Sequence, residues 1–323
     1  MSEDSCYLCS LGWGVGIVIA LYLIRRWIKG GQFTERVSAK GKVVVITGAN
    51  TGIGIETVRE LNLRGAKVYM LCRNEERAQK AIVNLVKMGC DSGRLIFLKC
   101  DLTSFRNVRE TAKFLEEAEE HIDILINNAG IMYHPKHELT EDGHEMTWQS
   151  NYLGHFLLTE LLLPLVKKSE EGRIIDVSSK FHMLSYPLDL ETIDNKESFK
   201  FMVPYIRSKL ANVMHSRELT RRLRSSGNTI VTINSLHPGS AKSEISRDLI
   251  IGKPPVSWIL NLFLKTERDG AQTTNYLALS REVKGVSGCY FADCARATEN
   301  KLALDDLACK HLYDYSLRIV GLA

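Results

Sequence analysis

Residues 205–209 read Tyr-Ile-Arg-Ser-Lys, which sets a phenol and an ammonium four positions apart. On a helix that spacing puts both side chains on one face, with Lys209 beside Tyr205. A free phenol has a pKa of about 10, too high to exchange protons efficiently near neutrality. A neighbouring ammonium stabilises the phenolate and lowers that pKa. The pair would then act as general acid toward a carbonyl, or as general base toward an alcohol. The same five residues would serve equally well as an amphipathic surface pair, so the rest of the chain must decide.

A second stretch, Thr47-Gly-Ala-Asn-Thr-Gly-Ile-Gly54, carries glycines at 48, 52 and 54. Small residues between a strand and a helix let backbone amides approach a pyrophosphate, and the helix N-terminus favours its charge. No Lys-Ser/Thr follows the last glycine, so this is not a P-loop. The next strand ends in Leu71-Cys72-Arg73, where NAD-binding domains usually present a carboxylate to the ribose. A neutral Cys72 and a cationic Arg73 suit a 2′-phosphate instead, which predicts NADP(H) over NAD(H). Asp101 ends the third strand, placed to accept a hydrogen bond from an adenine amino group. Asn127-Asn128-Ala129-Gly130 closes the fourth, where small or amide side chains suit contact with the adenosine ribose.

These residues need a scaffold, and the apolar pattern supplies one. KVVVIT (42–47) is a β-branched run, as in a strand buried on both faces. Further strands are predicted at 67–71, 94–100, 122–126, 173–178 and 229–236. Helices are predicted at about 53–64, from Asn74, after a Ser104 cap, through 144–168 and over 204–226. Strands separated by helices of this length imply an α/β fold of the Rossmann type, a doubly wound parallel sheet flanked by helices.

TGANTGIG, NNAG, Asn151 in SNYLGHF, Val177-Ser178-Ser179, YIRSK and His237-Pro238-Gly239 occur in the order and approximate spacing of the short-chain dehydrogenase/reductases. The resemblance runs from residue 42 to about 295. CRN after the second strand, SKLAN, HPGSAKSE and KTERDGAQT look more like the membrane-anchored retinol dehydrogenase branch. It implies a tetrad of Asn151, Ser179, Tyr205 and Lys209, with Ser179 and Tyr205 on the substrate oxygen. Asn151 would help hold a water joining Lys209 to solvent, Lys209 would bind the nicotinamide ribose, and the positive nicotinamide ring of NADP⁺ would join Lys209 in lowering the Tyr205 pKa. Ser178 is the alternative to Ser179, because neighbours in a strand alternate faces. Cofactor contacts are implied for Gly48, Asn50, Thr51, Gly52, Ile53 and Gly54 on the first turn. Arg73, Asp101, Leu102, Asn128, Ala129 and Gly130 follow along the next strand ends. Tyr205, Lys209, Pro238, Gly239 and Ser240 complete the set. The family often has a threonine after that Pro-Gly, and this chain has Ser240 and Ser243 nearby instead. Helices around 144–168 and 204–226 form dimer faces in the family, so a homodimer is a further expectation.

The 323 residues are 45% hydrophobic and 25% charged with net charge +4, enough for a packed core. No basic patch interleaved with aromatics supports nucleic-acid binding, and no metal-ligand spacing is found. Eight scattered cysteines read as reduced thiols. Ser5–Ile24 contains no charged residue and is followed by Arg25, Arg26 and Lys29. That length matches the roughly 20 residues of a membrane span. The basic flank then predicts an uncleaved anchor with residues 25–323 in the cytosol, by resemblance at the endoplasmic reticulum. The expected organisation is an anchor and basic flank (1–30), a linker (31–41) and one catalytic domain (42–323). The apolar run 249–264 is expected to form a substrate lid, to dip into the bilayer, or to pack in the core. The predicted activity is hydride exchange with the carbonyl/alcohol carbon of a lipophilic substrate, retinal/retinol by resemblance. A steroid, a lipid aldehyde or a silent NADP(H)-binding sensor are the alternatives.

Overall fold

The computed structural model describes residues 16, 19, 21–132, 134–239 and 265–323. Its eight-stranded sheet has the order β3-β2-β1-β4-β5-β6-β7-β8. β1 (Val43–Thr47), β2 (Lys67–Cys72), β3 (Leu95–Lys99), β4 (Ile124–Asn127), β5 (Arg173–Val177) and β6 (Thr232–His237) match the six expected strands to within three residues at either end. β7 (Tyr290–Ala292) joins β6 in parallel, and β8 (Ala295–Arg296) closes the edge antiparallel. These two strands are additions to the sequence reading. All five residues of β1 are buried, as its unbroken apolar run requires. The chain moves outward one way through β1, β2 and β3, then returns to place β4 on the other side of β1. That reversal opens a crevice at the carboxyl ends of β1 and β4.

One face of the sheet carries α1 (Gly52–Leu63) and α2 (Glu75–Lys87). Also there is α6 (Glu267–Gly270), followed by α7 (Gln272–Leu279). The other carries α3 (Phe105–Ala118), α4 (146–167), α5 (Val203–Ser225) and α8 (Asp306–Ile319). Asn74 and Ser104 cap α2 and α3 by accepting the Arg77 and Asn107 amides. Helix α4 departs from a plain helix. It begins at Met146–Trp148, widens into a π turn at Gln149–Leu153, and continues as Gly154–Lys167. The turn falls on Asn151, and such bulges recur at functional sites.

Helix α8 lies across the outward faces of α4 and α5. Tyr313 packs edge-on to Phe156 at 4.9 Å and stacks on His215 at 5.9 Å, with the Arg222 guanidinium 4.1 Å above its ring. The Tyr152 hydroxyl bonds Ser316 Oγ at 2.8 Å. Tyr152 and Phe156 on α4, and His215 and Arg222 on α5, thus meet this chain's own last helix.

Residues 21–29 are helical, while most of the uncharged run Ser5–Ile24, together with Ser240, Ser243 and 249–264, lies outside the described residues. Among the described residues no helix is long and apolar enough to cross a membrane. The six described cysteines are free.

Candidate active site

The glycine turn leaves β1 and opens α1 with backbone that favours glycine. Gly48 and Gly52 have φ of 63° and 59°, where a Cβ would be strained. A Cβ on Gly48 would also lie 2.9 Å from Ala129 Cα, and one on Gly54 would overlap the Gly48 carbonyl. Thr51 caps α1 without a side-chain hydrogen bond, and no acidic residue stands in the first turn. The first amides of α1 are therefore left for an anion such as a pyrophosphate. The residues present fit a dinucleotide on this ground.

Thr47 fixes the turn against the end of β4. Its hydroxyl accepts the amides of Asn128 (2.9 Å) and Ala129 (3.0 Å), while Asn128 Nδ2 donates to the Thr47 carbonyl at 2.8 Å. The same hydroxyl meets His155 Nε2 at 2.8 Å. His155 Nδ1 faces the Asn151 carbonyl at 3.1 Å, which only accepts, so Nδ1 carries the proton and Thr47 donates to Nε2. Burial holds the His155 pKa down to about 4, so the ring stays neutral. Sequence reasoning gave neither residue a role, although His155 follows Asn151 by one helical turn.

At the other end of the crevice, Cys72 is buried with its thiol toward the glycine turn, and burial pushes its pKa up to about 11. Arg73 beside it is exposed and has no protein partner among the described residues. Asp101 Oδ1 accepts from the Thr103 amide at 3.0 Å and hydroxyl at 2.7 Å. Leu102 packs against Gly154, where a Cβ would be 2.9 Å from Leu102 Cβ. Past β6, Gly239 adopts φ 85° beneath the Lys265 side chain.

The four tetrad candidates converge near the carboxyl end of β5. Ser178 Oγ donates to the Lys209 carbonyl at 2.6 Å, so it serves the scaffold. Ser179 Oγ accepts the Phe181 amide at 3.3 Å and is close enough to the Tyr205 phenol to oppose part of its rise in pKa. Lys209 is 3% exposed; its Nζ donates to the Val177 carbonyl at 2.8 Å and lies 5.7 Å from the Tyr205 ring centre. Burial lowers its pKa to about 8, against the pull of Asp176. Asn151 Oδ1 accepts the Ile131 amide at 2.8 Å, and Nδ2 donates to the Ile131 carbonyl at 2.8 Å and to Ser208 Oγ at 3.1 Å. Its carboxamide thus holds the loop after β4. A Cβ on Gly130 would come within 3.3 Å of Asn151 Oδ1 and 3.4 Å of Lys209 Nζ, so the three share one small space.

In the protein alone burial raises the Tyr205 pKa, and Ser179 offsets only part of that; the lower value expected for the working site counts the oxidised nicotinamide ring as well as Lys209. The protein alone holds Tyr205 as a neutral acid, ready to donate. His182 is fully buried and structural, with Nδ1 on the Ser179 carbonyl at 2.7 Å and Nε2 accepting the Asn300 amide at 3.1 Å. No metal-ligating cluster is found among the described residues.

A glycine turn on a buried strand, a crevice at the sheet's switch point and a Ser-Tyr-Lys group define a dinucleotide-binding oxidoreductase fold. The short chain dehydrogenase model matches residues 42–252, and the chain belongs to that family, whose members bind a nicotinamide cofactor. It is 41% identical over 294 residues to mouse retinol dehydrogenase 14, covering 87% of this chain and 86% of that one. Human retinol dehydrogenase 11 is 38% identical over 299 residues, covering 93% and 92%. Among solved structures, a putative uncharacterized protein from Mycobacterium paratuberculosis superposes with a TM-score of 0.70 at 29% identity, covering 88% and 95%. The Pseudomonas aeruginosa RhlG/NADP complex shares the fold, with a TM-score of 0.63 at 22% identity over 80% and 97%.

Proposed function

We propose that the chain is an NADP(H)-dependent oxidoreductase that exchanges a hydride with the carbonyl/alcohol carbon of a lipophilic substrate, retinal/retinol first. The observation that carries this reading is the meeting of Ser179, Tyr205 and Lys209 beside the glycine cradle. When bound, the nicotinamide supplies or accepts the hydride and, oxidised, adds a positive charge. Tyr205 Oη donates a proton to the substrate oxygen in reduction and removes it in oxidation. Ser179 Oγ orients that oxygen. Lys209 supplies the charge that favours phenolate and holds the nicotinamide ribose. Asn151 keeps the loop after β4 in place and contributes to proton access at Lys209. Asn50, Thr51, Ile53, Asp101, Leu102, Ala129, Gly130, Pro238, Gly239 and Ser240 are assigned to the cofactor on the family pattern.

NADP(H) follows from Arg73, without a partner among the described residues, standing where a carboxylate would select NAD(H). The lipophilic substrate follows from the retinol dehydrogenase relatives. The same reading makes residues 1–30 a membrane anchor and flank, 31–41 a linker and 42–323 one catalytic domain. It sets that domain on the cytosolic side of the endoplasmic reticulum.

The test is NADPH oxidation by the detergent-solubilised full chain with all-trans-retinal, a steroid ketone and a medium-chain aldehyde. Selective turnover of retinal is the expected result. Turnover of another carbonyl alone would remove retinal, and NADPH binding without turnover on a wide panel would favour a silent sensor.

A further inference from the structure

The turn that follows Ser179 carries four apolar side chains outward within six residues. Phe181, Met183, Leu184 and Tyr186 are 40%, 43%, 62% and 84% exposed. The backbone beneath them is firmly held. His182 is tied to Ser179 and Asn300, its ring lies 4.5 Å from that of Tyr290 on β7, and Asn300 Nδ2 donates to the His182 carbonyl at 3.0 Å. The Phe181 ring reaches inward to within 6.1 Å of the Tyr205 ring, so this apolar rim borders the reacting phenol.

The N-terminal helix meets the body at the same end of the sheet. Gly30 and Gly31 press against Asp293 in the β7–β8 turn, and Arg25 bonds Asp269 at 3.3 Å. The rim and this segment both lie at the carboxyl edge of the sheet, the rim on the α5 face and the N-terminal segment on the α6 face. On that segment Leu21, Tyr22, Leu23 and Trp27 are 60%, 63%, 56% and 83% exposed. In the chain Arg25, Arg26, Lys29 and Lys180 flank the two apolar sets, and the acidic groups nearest the rim are Asp189 and, beside His182, Glu299.

We propose that Phe181, Met183, Leu184 and Tyr186 rest in the interface of a phospholipid bilayer, the one entered by the N-terminal segment, so that the substrate mouth opens directly onto lipid. An aromatic with a hydroxyl tip at the outermost position and lysine and arginine at the border are what a headgroup region accommodates. A second protein is a poorer occupant, because a stable interface takes roughly 20–30 residues a side. The docking surface rests on the geometry alone; its kinetic consequence rests on the proposed activity.

Full-length Tyr186→Trp protein, reconstituted in anionic phospholipid vesicles, tests the surface without turnover. Emission from position 186, taken as the difference from the unsubstituted chain, is expected to be blue-shifted and quenched to below about half by lipid brominated near the headgroup, as for apolar groups at the acyl boundary. Water-like emission that brominated lipid leaves unchanged overturns the proposal, as does quenching-free emission that depends on protein concentration, which would make a second copy the occupant. In the Leu184→Asp, Tyr186→Asp protein, KM for a vesicle-dissolved carbonyl is expected to rise about tenfold as interfacial docking weakens. Its kcat, and both constants for a short water-soluble aldehyde, are expected to hold. Equal changes for both substrates, or none, overturn the link to lipid delivery. Absence of turnover on every carbonyl sinks the proposed activity instead, and quenching at position 186 still decides the surface.

Discussion

Lys209 offers a quantitative test of how the site is charged. Its ammonium is buried against the Val177 carbonyl, and burial lowers its pKa to about 8. Tyr205 moves the other way, its phenol raised by burial. In the reductive direction Tyr205 must be protonated, and its raised pKa favours that form. A loss of reductive activity near pH 8 is therefore assigned to Lys209 alone. A group with pKa 8 is about nine-tenths protonated at pH 7 and about one-tenth at pH 9, so kcat/KM for the carbonyl should fall about tenfold over that range with a limiting slope of −1. The assay follows NADPH absorbance at saturating cofactor from pH 6 to 10. Lys209→Arg provides the control, because a guanidinium stays charged throughout. That variant is expected to be slower, since the slot is tight, but flat across pH 7 to 9. A wild-type profile that is level to pH 10, or a break near 8 that survives in Lys209→Arg, would refute the argument.

Other consequences follow from the cofactor crevice. Arg73→Asp replaces the cation beside Cys72 with a carboxylate, and the NADPH-over-NADH preference in kcat/KM should fall at least about tenfold, the scale of one lost charge-assisted phosphate contact. An unchanged preference would remove Arg73 from 2′-phosphate recognition. Gly54→Ala drives a methyl into the Gly48 carbonyl and to 2.7 Å from Asn128 Nδ2. Overpacking of this kind costs about 1–3 kcal/mol, and NADPH binding by fluorescence titration should weaken about tenfold or more. Normal affinity in that variant would mean that the cradle is not the pyrophosphate site.

Much of the sheet was legible because a parallel strand buried on both faces leaves an unbroken apolar run. β1, with every residue buried, is the clearest example. β7 and β8 were not, since they hold three and two residues and β8 is exposed, too short for any period to register. The π turn at Gln149–Leu153 has no sequence signature; its origin is tertiary, in the hold of Asn151 on Ile131 and of His155 on Thr47. Strand alternation leaves either Ser178 or Ser179 facing the site and the resemblance picks Ser179; the Ser178 bond to the Lys209 carbonyl accounts for the other hydroxyl. Spacing reveals the ammonium beside Tyr205 but not the depth of the phenol, which is 5% exposed and whose pKa burial raises in the protein alone. Burial depends on the whole fold, and here it dominates. The contacts of Tyr313 with α4 and α5 were equally invisible, because it looks like any aromatic in an amphipathic helix.

The most direct test of the central claim compares Tyr205→Phe with the unsubstituted chain in two measurements on the same preparation. Turnover of the best carbonyl by NADPH absorbance should fall by at least about a thousandfold, within the 10²–10⁴ range for loss of a positioned general acid. NADPH affinity should change by less than about threefold, since the lost hydroxyl faces Ser179 and the substrate oxygen. Turnover that persists in Tyr205→Phe with cofactor binding intact would contradict the assignment of the proton to Tyr205.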